Sequence, residues 1–454
     1  MKTQRILLLR PRPDPETIGL QHVMICEPLE LEYLASNLTA DGRSFFLADM
    51  ILEKRGLPEL LDLYRPDYVL MTAYITHVRV VQDYARQVKQ WRPDCAVYVG
   101  GVHAEVVPAD FADSHIDGIF RANAVSGMQK ILAGTAPAEV AELWGSKLPV
   151  CKDREWKLLP PDRSLSAAYR QRYYYMFHNP CALIKTSFGC PYTCTFCFCR
   201  QVTDGQYFTR PVAEVIAELQ TIPEEEIYIV DDDFLFDAGR VLEFCKALEK
   251  AGLHKKFLVY GRSDFVAENE EVIRRFAACG LRAVIIGLES SRPGDLDNYN
   301  KRSSLQQNEA AAAIVQRYGV ELYGTLILGP DFGRADFSHL YRWLRANHIN
   351  FINLQPLTPL PGTPLFDQYA NRLIIGREEY AKWDLAHLVL KPEQMSIRAY
   401  YLQILWLYYR IVARPAHAWS LIRRYGPAQV LKLWFGSARV SWQYIQKALR
   451  GNKQ

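Results

Sequence analysis

The chain has 454 residues, of which 49% are apolar and 23% are charged, and its formal net charge is +4. This composition is typical of a soluble globular protein, and the length predicts about three domains. The N-terminus has only four apolar residues in a row before Arg10, too few for a signal peptide, and no run of about 18 apolar residues predicts a membrane-spanning helix. We therefore expect a cytoplasmic protein with a large core.

The first 135 residues alternate strand-like and helix-like segments. Short apolar runs at 5–11, 44–50, 68–74 and 95–101 have the length of buried strands, and the stretches between them have helical spacing, the first running to Gly42. This alternation predicts a parallel α/β sheet. Ligands of such sheets bind at the carboxyl ends of the strands.

A connector and a second α/β region follow. Residues 136–180 are rich in Pro and Tyr and predict a linker, although "YRQRYYYMFHNP" (169–180) could also border a substrate opening. From 181 to 375 the sequence offers six strand candidates, which is enough for most of a (β/α) barrel, complete or open. We expect helices between these strands, at 212–220, 238–252, 268–279, 305–318 and 336–346.

Four of the ten cysteines lie in one loop, "FGCPYTCTFCFCR" (188–200). Cys190, Cys194 and Cys197 have the spacing C-x3-C-x2-C, and Cys199 is too close to Cys197 to be a good further ligand. The other six are scattered, as expected of reduced thiols. A structural zinc would need four ligands. Three thiolates on a four-iron cluster would instead leave one iron open, because such clusters are usually held by four.

This loop, with Phe196 before its last cysteine, resembles the radical S-adenosylmethionine (SAM) superfamily. Five later stretches are similar to segments of that superfamily: "YIVDDDF" (228–234), "YGRSD" (260–264), "IIGLESS" (285–291), "LILGP" (326–330) and "LTPLPGTPLF" (357–366). The resemblance implies that Cys190, Cys194 and Cys197 hold a [4Fe-4S] cluster. It implies SAM contacts at Phe196, Asp232, Asp233, Ser263, Glu289 and Leu328. A zinc loop on an unrelated α/β domain is the alternative.

The resemblance also implies the chemistry of the site. The open iron chelates SAM, and reductive cleavage of SAM gives a 5′-deoxyadenosyl radical. The cofactors carry that reaction, while the protein positions them. One departure concerns the acidic stretch, where Asp231-Asp232-Asp233 stands in place of the Gly-Gly-Glu common in the superfamily. The sequence leaves open which aspartate contacts SAM.

The N-terminal α/β domain resembles the cobalamin-binding domain of cobalamin-dependent radical SAM enzymes. The implied cobalamin contacts are Met50, Leu52, Thr72, Tyr74, Gly100, Gly101 and His103. Ile51 stands where a D-x-H-x-x-G motif would place its histidine, so we expect cobalt to lack a histidine below it. Arg121 to Ala124 replace a Gly-Glu-Gly-Glu turn. A domain that has lost its ligand is therefore the alternative.

Residues 396–454 form a basic and aromatic tail. They include ten Lys and Arg and no Asp or Glu, together with four Trp. The tail, within a predicted helical domain at 376–454, could be a cap packed on the barrel. Alternatively it could contact an anionic membrane surface on the inner face of the membrane. Nucleic acid is not expected as a partner, because no RNA-binding motif is present.

Together these features predict a cobalamin-dependent radical SAM enzyme that acts on an unactivated carbon of a hydrophobic metabolite. C-methylation is the expected reaction. Radical oxidation, cyclisation or ring rearrangement of a lipid or tetrapyrrole, without methyl transfer, is the alternative. A flavodoxin or ferredoxin type of electron donor is implied. A protein that only senses or binds these cofactors is a further alternative from outside the enzymes.

Overall fold

Most of the predicted strands and helices are present in a computed structural model, which describes residues 3–19, 22–148, 158–412 and 414–450. These residues divide into two units. The first draws on the described parts of 1–17, 27–172 and 377–384, and the second on those of 18–26, 173–376 and 385–454. Part of the predicted linker lies outside the described residues. Of its described parts, those up to 172 belong to the first unit and those from 173 to the second.

The first unit is built on a five-stranded parallel sheet. Its strands, in the spatial order β2-β1-β3-β4-β5, are β1 (Gln4–Arg10), β2 (Arg43–Asp49), β3 (Tyr68–Thr72), β4 (Ala96–Gly100) and β5 (Gly118–Ile119). Its helices are α1 (Leu29–Leu38), α2 (Leu57–Tyr64), α3 (Val78–Trp91), α4 (Val102–Val106) and α5 (Ala124–Leu132). The strand order reverses between β1 and β3, and ligands bind at such switch points in open α/β sheets.

Hydrophobic pattern explains this sheet. The four residues from Ile6 to Leu9 are completely buried, as expected for a strand covered on both faces. Helix α1 ends at Leu38, so the expectation that it runs to Gly42 is wrong. Thr39 leaves the helix with extended backbone, and its hydroxyl donates a 2.9 Å hydrogen bond to the carbonyl of Ala35, one of the unpaired carbonyls of the last turn.

The second unit contains a six-stranded parallel sheet in sequential order. Its strands are β6 (Cys181–Ile184), β7 (Glu226–Ile229), β8 (Lys256–Gly261), β9 (Leu281–Glu289), β10 (Glu321–Leu328) and β11 (Phe351–Pro356). Within the described strands, β6 and β11 do not pair with each other. The barrel is therefore open, one of the two forms that the sequence predicts.

Helices separate the strands of this barrel. They are α6 (Cys199–Thr203), α7 (Val212–Thr221), α8 (Ala238–Lys250), α9 (Ser263–Glu268), α10 (Glu270–Ala278), α11 (Pro293–Asn298), α12 (Leu305–Arg317), α13 (Arg334–Ala346) and α14 (Pro364–Tyr369). The helix expected at 268–279 is confirmed as α10, apart from one or two residues at its ends, and a further helix that the sequence analysis did not predict, α9, precedes it. Asn269 separates them, and its side-chain amide donates to the Phe265 carbonyl at 2.9 Å.

Tyrosines fill part of the barrel interior. A two-residue strand at Tyr174–Tyr175 pairs antiparallel with Met24–Ile25. The Tyr175 ring lies 5.1 Å from the ring of Tyr228 and 6.1 Å from that of Tyr323. Tyr228 and Tyr323 are buried on β7 and β10. Tyr175, Tyr228 and Tyr323 therefore form an aromatic cluster inside the barrel, which we call the tyrosine floor.

Three C-terminal helices complete the second unit: α15 (Ile397–Val412), α16 (Pro415–Tyr425) and α17 (Pro427–Arg450). The buried face of α15 joins the hydrophobic core of the barrel. The Tyr408 hydroxyl accepts a 2.8 Å hydrogen bond from the backbone of Leu354 on β11, and the Tyr400 hydroxyl donates to the carbonyl of Gly329 at 2.7 Å. None of the described helices combines the length and apolar character needed to cross a bilayer.

We predict that Tyr400→Phe destabilises the chain by about 1 kcal/mol, because it removes one of the two hydrogen bonds that the buried Gly329 carbonyl accepts, the other coming from the Phe332 amide at 3.1 Å. Tyr409→Phe is the matched control, since Tyr409 is 71% exposed on the same helix, and it should change stability by less than about 0.5 kcal/mol. Urea unfolding measures both. Equal midpoints for the two variants would contradict the prediction.

Candidate active site

The cysteine loop lies between β6 and α6 and begins with a sharp turn. Gly189 has a φ of +80°, and a Cβ atom there would lie 2.1 Å from the carbonyl oxygen of Gln206. Only glycine fits this backbone and this space. Cys190, Cys194 and Cys197 follow, each partly exposed, and the nine described cysteines are free thiols. Cys151 lies outside the described residues.

Backbone hydrogen bonds fix the loop between the cysteines. The Thr195 amide donates to the Tyr299 carbonyl at 3.1 Å, and the Asn300 side chain donates to the Thr193 carbonyl at 3.0 Å. The Phe196 ring meets the Tyr299 ring edge-on, with centroids 5.8 Å apart. Phe196 therefore packs against the segment that anchors the loop.

The three thiols are neighbours. Burial raises the pKa of Cys190 to about 12, with further increases from the charges of Asp233 and Cys197, and burial followed by Cys197 also raises the pKa of Cys194. No group of three or more Cys, His, Asp or Glu side chains within the described ranges is arranged around one metal ion. Thiolates of an iron–sulfur cluster bind different irons, so they need not converge on a single point. The donor set fits a cluster.

The first aspartate of the acidic stretch has a structural role. Asp231 is buried and accepts hydrogen bonds from the Thr186 amide (2.6 Å), the Thr186 hydroxyl (2.5 Å) and the Ser187 hydroxyl (2.7 Å). The next residue, Asp232, accepts from the Gly189 amide at 3.0 Å and the Cys199 thiol at 3.5 Å. Both acids therefore support the cysteine loop.

Asp233 differs from its two neighbours. It is 2% exposed, and neither carboxylate oxygen has a hydrogen-bond partner among the described residues. Burial raises the pKa of Asp233 to about 8, although Arg262 and Lys301 oppose the change. A buried carboxylate without a partner is costly. It fits the ammonium group of a ligand such as SAM.

Two buried cations border this site, and the sequence analysis did not single them out. The Lys301 ammonium donates to Glu289 at 2.8 Å, and Glu289 has a left-handed φ of +59°. Arg262 donates to the Lys301 carbonyl at 2.7 Å and to Asp264, and it lies 3.8 Å from the centre of the Tyr192 ring. Arg262 occurs in the quoted "YGRSD", but nothing in the sequence marks Lys301.

The remaining predicted SAM residues, Ser263 and Leu328, lie at the carboxyl ends of their strands. Ser263 begins α9 directly after Arg262, and its buried hydroxyl has no partner within the described chain. Leu328 ends β10, the strand on which Leu326 pairs with Glu289. Like Asp233, Ser263 presents a buried polar group that a ligand could satisfy.

In the first unit, five predicted residues meet at the ends of β3 and β4. The Ala73 amide donates to the Gly100 carbonyl at 2.9 Å, and a Cβ on Gly101 would lie 2.9 Å from the Thr72 hydroxyl. Tyr74 is 52% exposed. His103 is buried and bonds through its ring to Asp110 at 2.6 Å, so it supports the turn.

The other two predicted residues follow β2. The Met50 amide donates to the Arg10 carbonyl at 3.0 Å. The buried Asp49 carboxylate forms an ion pair with Arg10 and accepts from the Ile51 amide at 3.1 Å. The Leu52 carbonyl accepts from the Arg172 side chain at 2.6 Å. This turn places Ile51, and no imidazole, after the strand.

His77 is a further residue of this edge that the sequence analysis missed. It is buried, and burial together with the nearby Arg10 charge lowers its pKa to about 4. Its Nδ1 atom accepts from the Tyr74 amide at 3.3 Å, so the imidazole is neutral. The partly exposed backbone of Gly100 and Gly101, beside Thr72 and Tyr74, suits close approach by a broad planar ligand such as a corrin.

Known proteins match most of the chain. Hopanoid C-3 methylase of Methylococcus capsulatus is 29% identical over 83% of this chain and 74% of its own length. An anaerobic magnesium-protoporphyrin IX monomethyl ester cyclase of Rubrivivax gelatinosus is 22% identical over 81% of this chain and 70% of its own length. Both are therefore relatives over more than one domain.

Solved structures share the fold. The cobalamin-dependent SAM radical enzyme OxsB, with aqua-cobalamin and SAM bound, aligns with a TM-score of 0.71 at 16% identity, over 97% of this chain and 72% of its own. The radical SAM methyltransferase TsrM of Kitasatospora setae, with cobalamin and a [4Fe-4S] cluster bound, gives 0.65 at 17% identity, over 82% and 75%.

Two family models identify the parts of the chain. The model of the radical SAM superfamily matches residues 184–344, which include the cysteine loop and Asp233. The model of the B12 binding domain matches residues 17–131, which include β2 to β5. The chain is therefore a radical SAM enzyme with a B12-binding domain, and its cofactors are SAM, a [4Fe-4S] cluster and cobalamin.

Proposed function

We propose that this enzyme methylates an unactivated carbon of a lipophilic metabolite. The observation that carries the proposal is the match to hopanoid C-3 methylase over 83% of the chain. The cysteine loop and the unpartnered Asp233 support an active rather than a degenerate site, since a buried carboxyl group without a hydrogen-bond partner is a pure cost to stability unless a ligand uses it.

The residue roles follow from the donor atoms. Cys190, Cys194 and Cys197 hold the cluster, and Asp233 accepts from the amine of SAM. Ser263, Glu289, Phe196, Leu328 and Asp232 line or support the SAM site, Asp232 through its hydrogen bond to Gly189. With these cofactors bound, reductive cleavage of SAM supplies a radical that removes hydrogen from the substrate, and cobalamin supplies the methyl group. A flavodoxin or ferredoxin type of donor would provide the electron.

Cobalamin would lie at the carboxyl edge of the first unit's sheet. Thr72, Tyr74, Gly100 and Gly101 offer a hydroxyl group, an aromatic ring and accessible backbone there. Met50 and Leu52 follow the neighbouring strand. His103 would act from the rim, because its ring is engaged by Asp110. Ile51 cannot ligate a metal, so this position would supply no ligand to a bound cobalamin.

Much of the accessible interior of the barrel is lined by uncharged side chains. Above its tyrosine floor, alternate strand residues point inward and are partly exposed: Tyr260, Thr325, Asn353 and Gln355. These side chains are uncharged. Lys185, which follows β6 directly, is charged. Its ammonium lies 3.5 Å from the Asp232 carboxylate and so has a partner.

A radical cyclisation or oxidation without methyl transfer is the second candidate. The match to the magnesium-protoporphyrin cyclase over 81% of the chain favours it. Both reactions begin with the same cleavage of SAM and need the same cysteines. They differ in whether the product gains a methyl group.

A lipophilic substrate also suggests that the enzyme works at a membrane surface. The C-terminal helices expose Trp419 (63%), Trp434 (59%) and Trp442 (57%), in a region with basic residues and no acidic ones. Basic and aromatic side chains together favour the surface of an anionic bilayer. We propose peripheral contact with the inner membrane face on this basis.

We predict that Cys190→Ala, Cys194→Ala and Cys197→Ala each abolish the cluster, because each removes one of three thiolates. Cys199→Ala is the matched control and should retain it, since its thiol bonds to Asp232. Iron and sulfide content after anaerobic reconstitution measures this. Retention of the cluster after loss of any one of the three would reject the assignment.

We predict that Asp233→Asn weakens SAM binding to the reconstituted enzyme by about 10- to 100-fold, the worth of one charge-assisted hydrogen bond. Asp237→Asn, at the exposed N-terminus of α8, is the control and should bind SAM normally. Anaerobic calorimetric titration gives both affinities. An unchanged affinity in Asp233→Asn would assign the amine contact to another residue.

We predict that the reconstituted enzyme, given a reduced flavodoxin or ferredoxin as electron donor, SAM labelled in its methyl group and a hopanoid lipid, yields 5′-deoxyadenosine, S-adenosylhomocysteine and a labelled lipid. Mass spectrometry detects all three, and the Cys194→Ala variant is the blank. A parallel reaction with magnesium-protoporphyrin monomethyl ester tests the second candidate. Conversion of that compound without label or S-adenosylhomocysteine would replace methylation with cyclisation.

A further inference from the structure

A groove lies beside α17 in the second unit, away from the cysteine loop. Its volume is about 360 Å³, and it is lined by His22, Phe435, Ala438, Arg439, Trp442 and Gln443. A smaller hollow next to it is also lined by His22, together with Tyr174 and Lys432. One histidine, one arginine and one lysine therefore border a continuous concave surface.

Close contact between the backbones of α17 and His22 fixes where these basic side chains lie. A Cβ atom on Gly436 would lie 1.9 Å from the carbonyl oxygen of His22, so the helix passes His22 in close contact. Lys432 lies one turn before Gly436 and Arg439 one turn after it, on the same side of the helix. The cations thus flank the crossing point on both sides.

These basic groups have no acidic partner among the described residues, whose ion pairs do not include Lys432 or Arg439. The Lys432 ammonium lies 4.1 Å from the centre of the Tyr174 ring. Burial lowers the pKa of Lys432, and burial followed by the Arg439 charge lowers the pKa of His22. The two permanent charges of the groove, on Lys432 and Arg439, thus have no acidic partner among the described residues, and His22 adds a neutral ring that can donate a hydrogen bond, a combination that favours an anion.

The exposed side of the same helix is apolar and aromatic. It carries five large side chains that are each more than half exposed: Leu431 (54%), Trp434 (59%), Phe435 (56%), Trp442 (57%) and Leu449 (66%). The opposite face, with Tyr444 and Ala448, is buried in the core of the unit. A free anion would use the cations but not this aromatic side, whereas an anionic amphiphile uses both.

We propose that this groove binds the anionic headgroup of a membrane phospholipid, while the aromatic side of α17 enters the bilayer interface. The inference rests on the proposed function in one respect: contact with a membrane would bring the enzyme to its lipophilic substrate. His22, Lys432 and Arg439 contact the phosphate, and Trp442 and Phe435 pack beside the acyl chains.

The test is flotation of the full chain, reconstituted with its cofactors, with two kinds of vesicle. One is phosphatidylcholine alone, and the other also contains phosphatidylglycerol. Lys432→Gln/Arg439→Gln should lower partitioning to the anionic vesicles about 30-fold, as expected for two charges near an anionic surface. Lys246→Gln/Lys250→Gln removes two exposed charges from α8 and should bind like the unaltered protein. Trp434→Ser/Trp442→Ser should also weaken binding.

Three outcomes would overturn the proposal. The first is equal flotation of the Lys432/Arg439 variant and its α8 control. The second is stabilisation by inorganic phosphate, lost in that variant, without flotation of any form, which would assign the site to a soluble anion. The third is a dimer abolished by the tryptophan substitutions without flotation, which would assign the face to a second copy. Flotation without methylated product would reject the proposed function and leave this inference standing.

Discussion

The hydrogen bonds accepted by Asp231 are the constraint on which the active site depends. This buried carboxylate lies two residues after β7 and accepts three hydrogen bonds from Thr186 and Ser187, which lie just after the adjacent β6. It therefore fixes where the first strand of the barrel ends and where the cysteine loop begins. Gly189 can then turn sharply, with its amide held by Asp232.

The three consecutive aspartates have different roles in the site. Asp231 is fully satisfied, Asp232 supports the loop, and Asp233 is buried without a partner. Their different roles follow from position alone, since the side chains are identical. A carboxylate held in place before its ligand arrives costs no reorganisation on binding, which is the physical advantage of a preorganised site. The protein bears that cost as a loss of stability.

The sequence predicted the α/β order of both units because buried strands and helices have local hydrophobic patterns. It also indicated the cysteine loop, whose ligands are close in the chain. It did not indicate the Lys301–Glu289 or Arg10–Asp49 pairs, whose partners are 12 and 39 residues apart. Such pairs depend on which strands become neighbours, and no local pattern records that.

Helix α9 was missed because its first residues, Ser263 and Asp264, belong to the stretch "YGRSD" that was likened to a strand. Asn269 separates it from α10, and the Asn269 side chain donates to the Phe265 carbonyl of α9. The choice among the three aspartates was also beyond the sequence, because Thr186 and Ser187 lie about 45 residues away. The sequence allowed a SAM-binding role to be assigned to residues 231–233 together. The separate role of each aspartate is evident only from its contacts in the folded chain.

The hydrogen bond between Tyr408 and Leu354 has a consequence for how such chains evolve. It covers part of the open edge of β11, and uncovered edges recruit strands from other molecules. With Tyr400 bonded to Gly329 on the same helix, α15 belongs to the barrel's structure. A chimera that joins the barrel after β11 to an unrelated tail would expose that edge, so α15 is expected to be inherited together with the barrel.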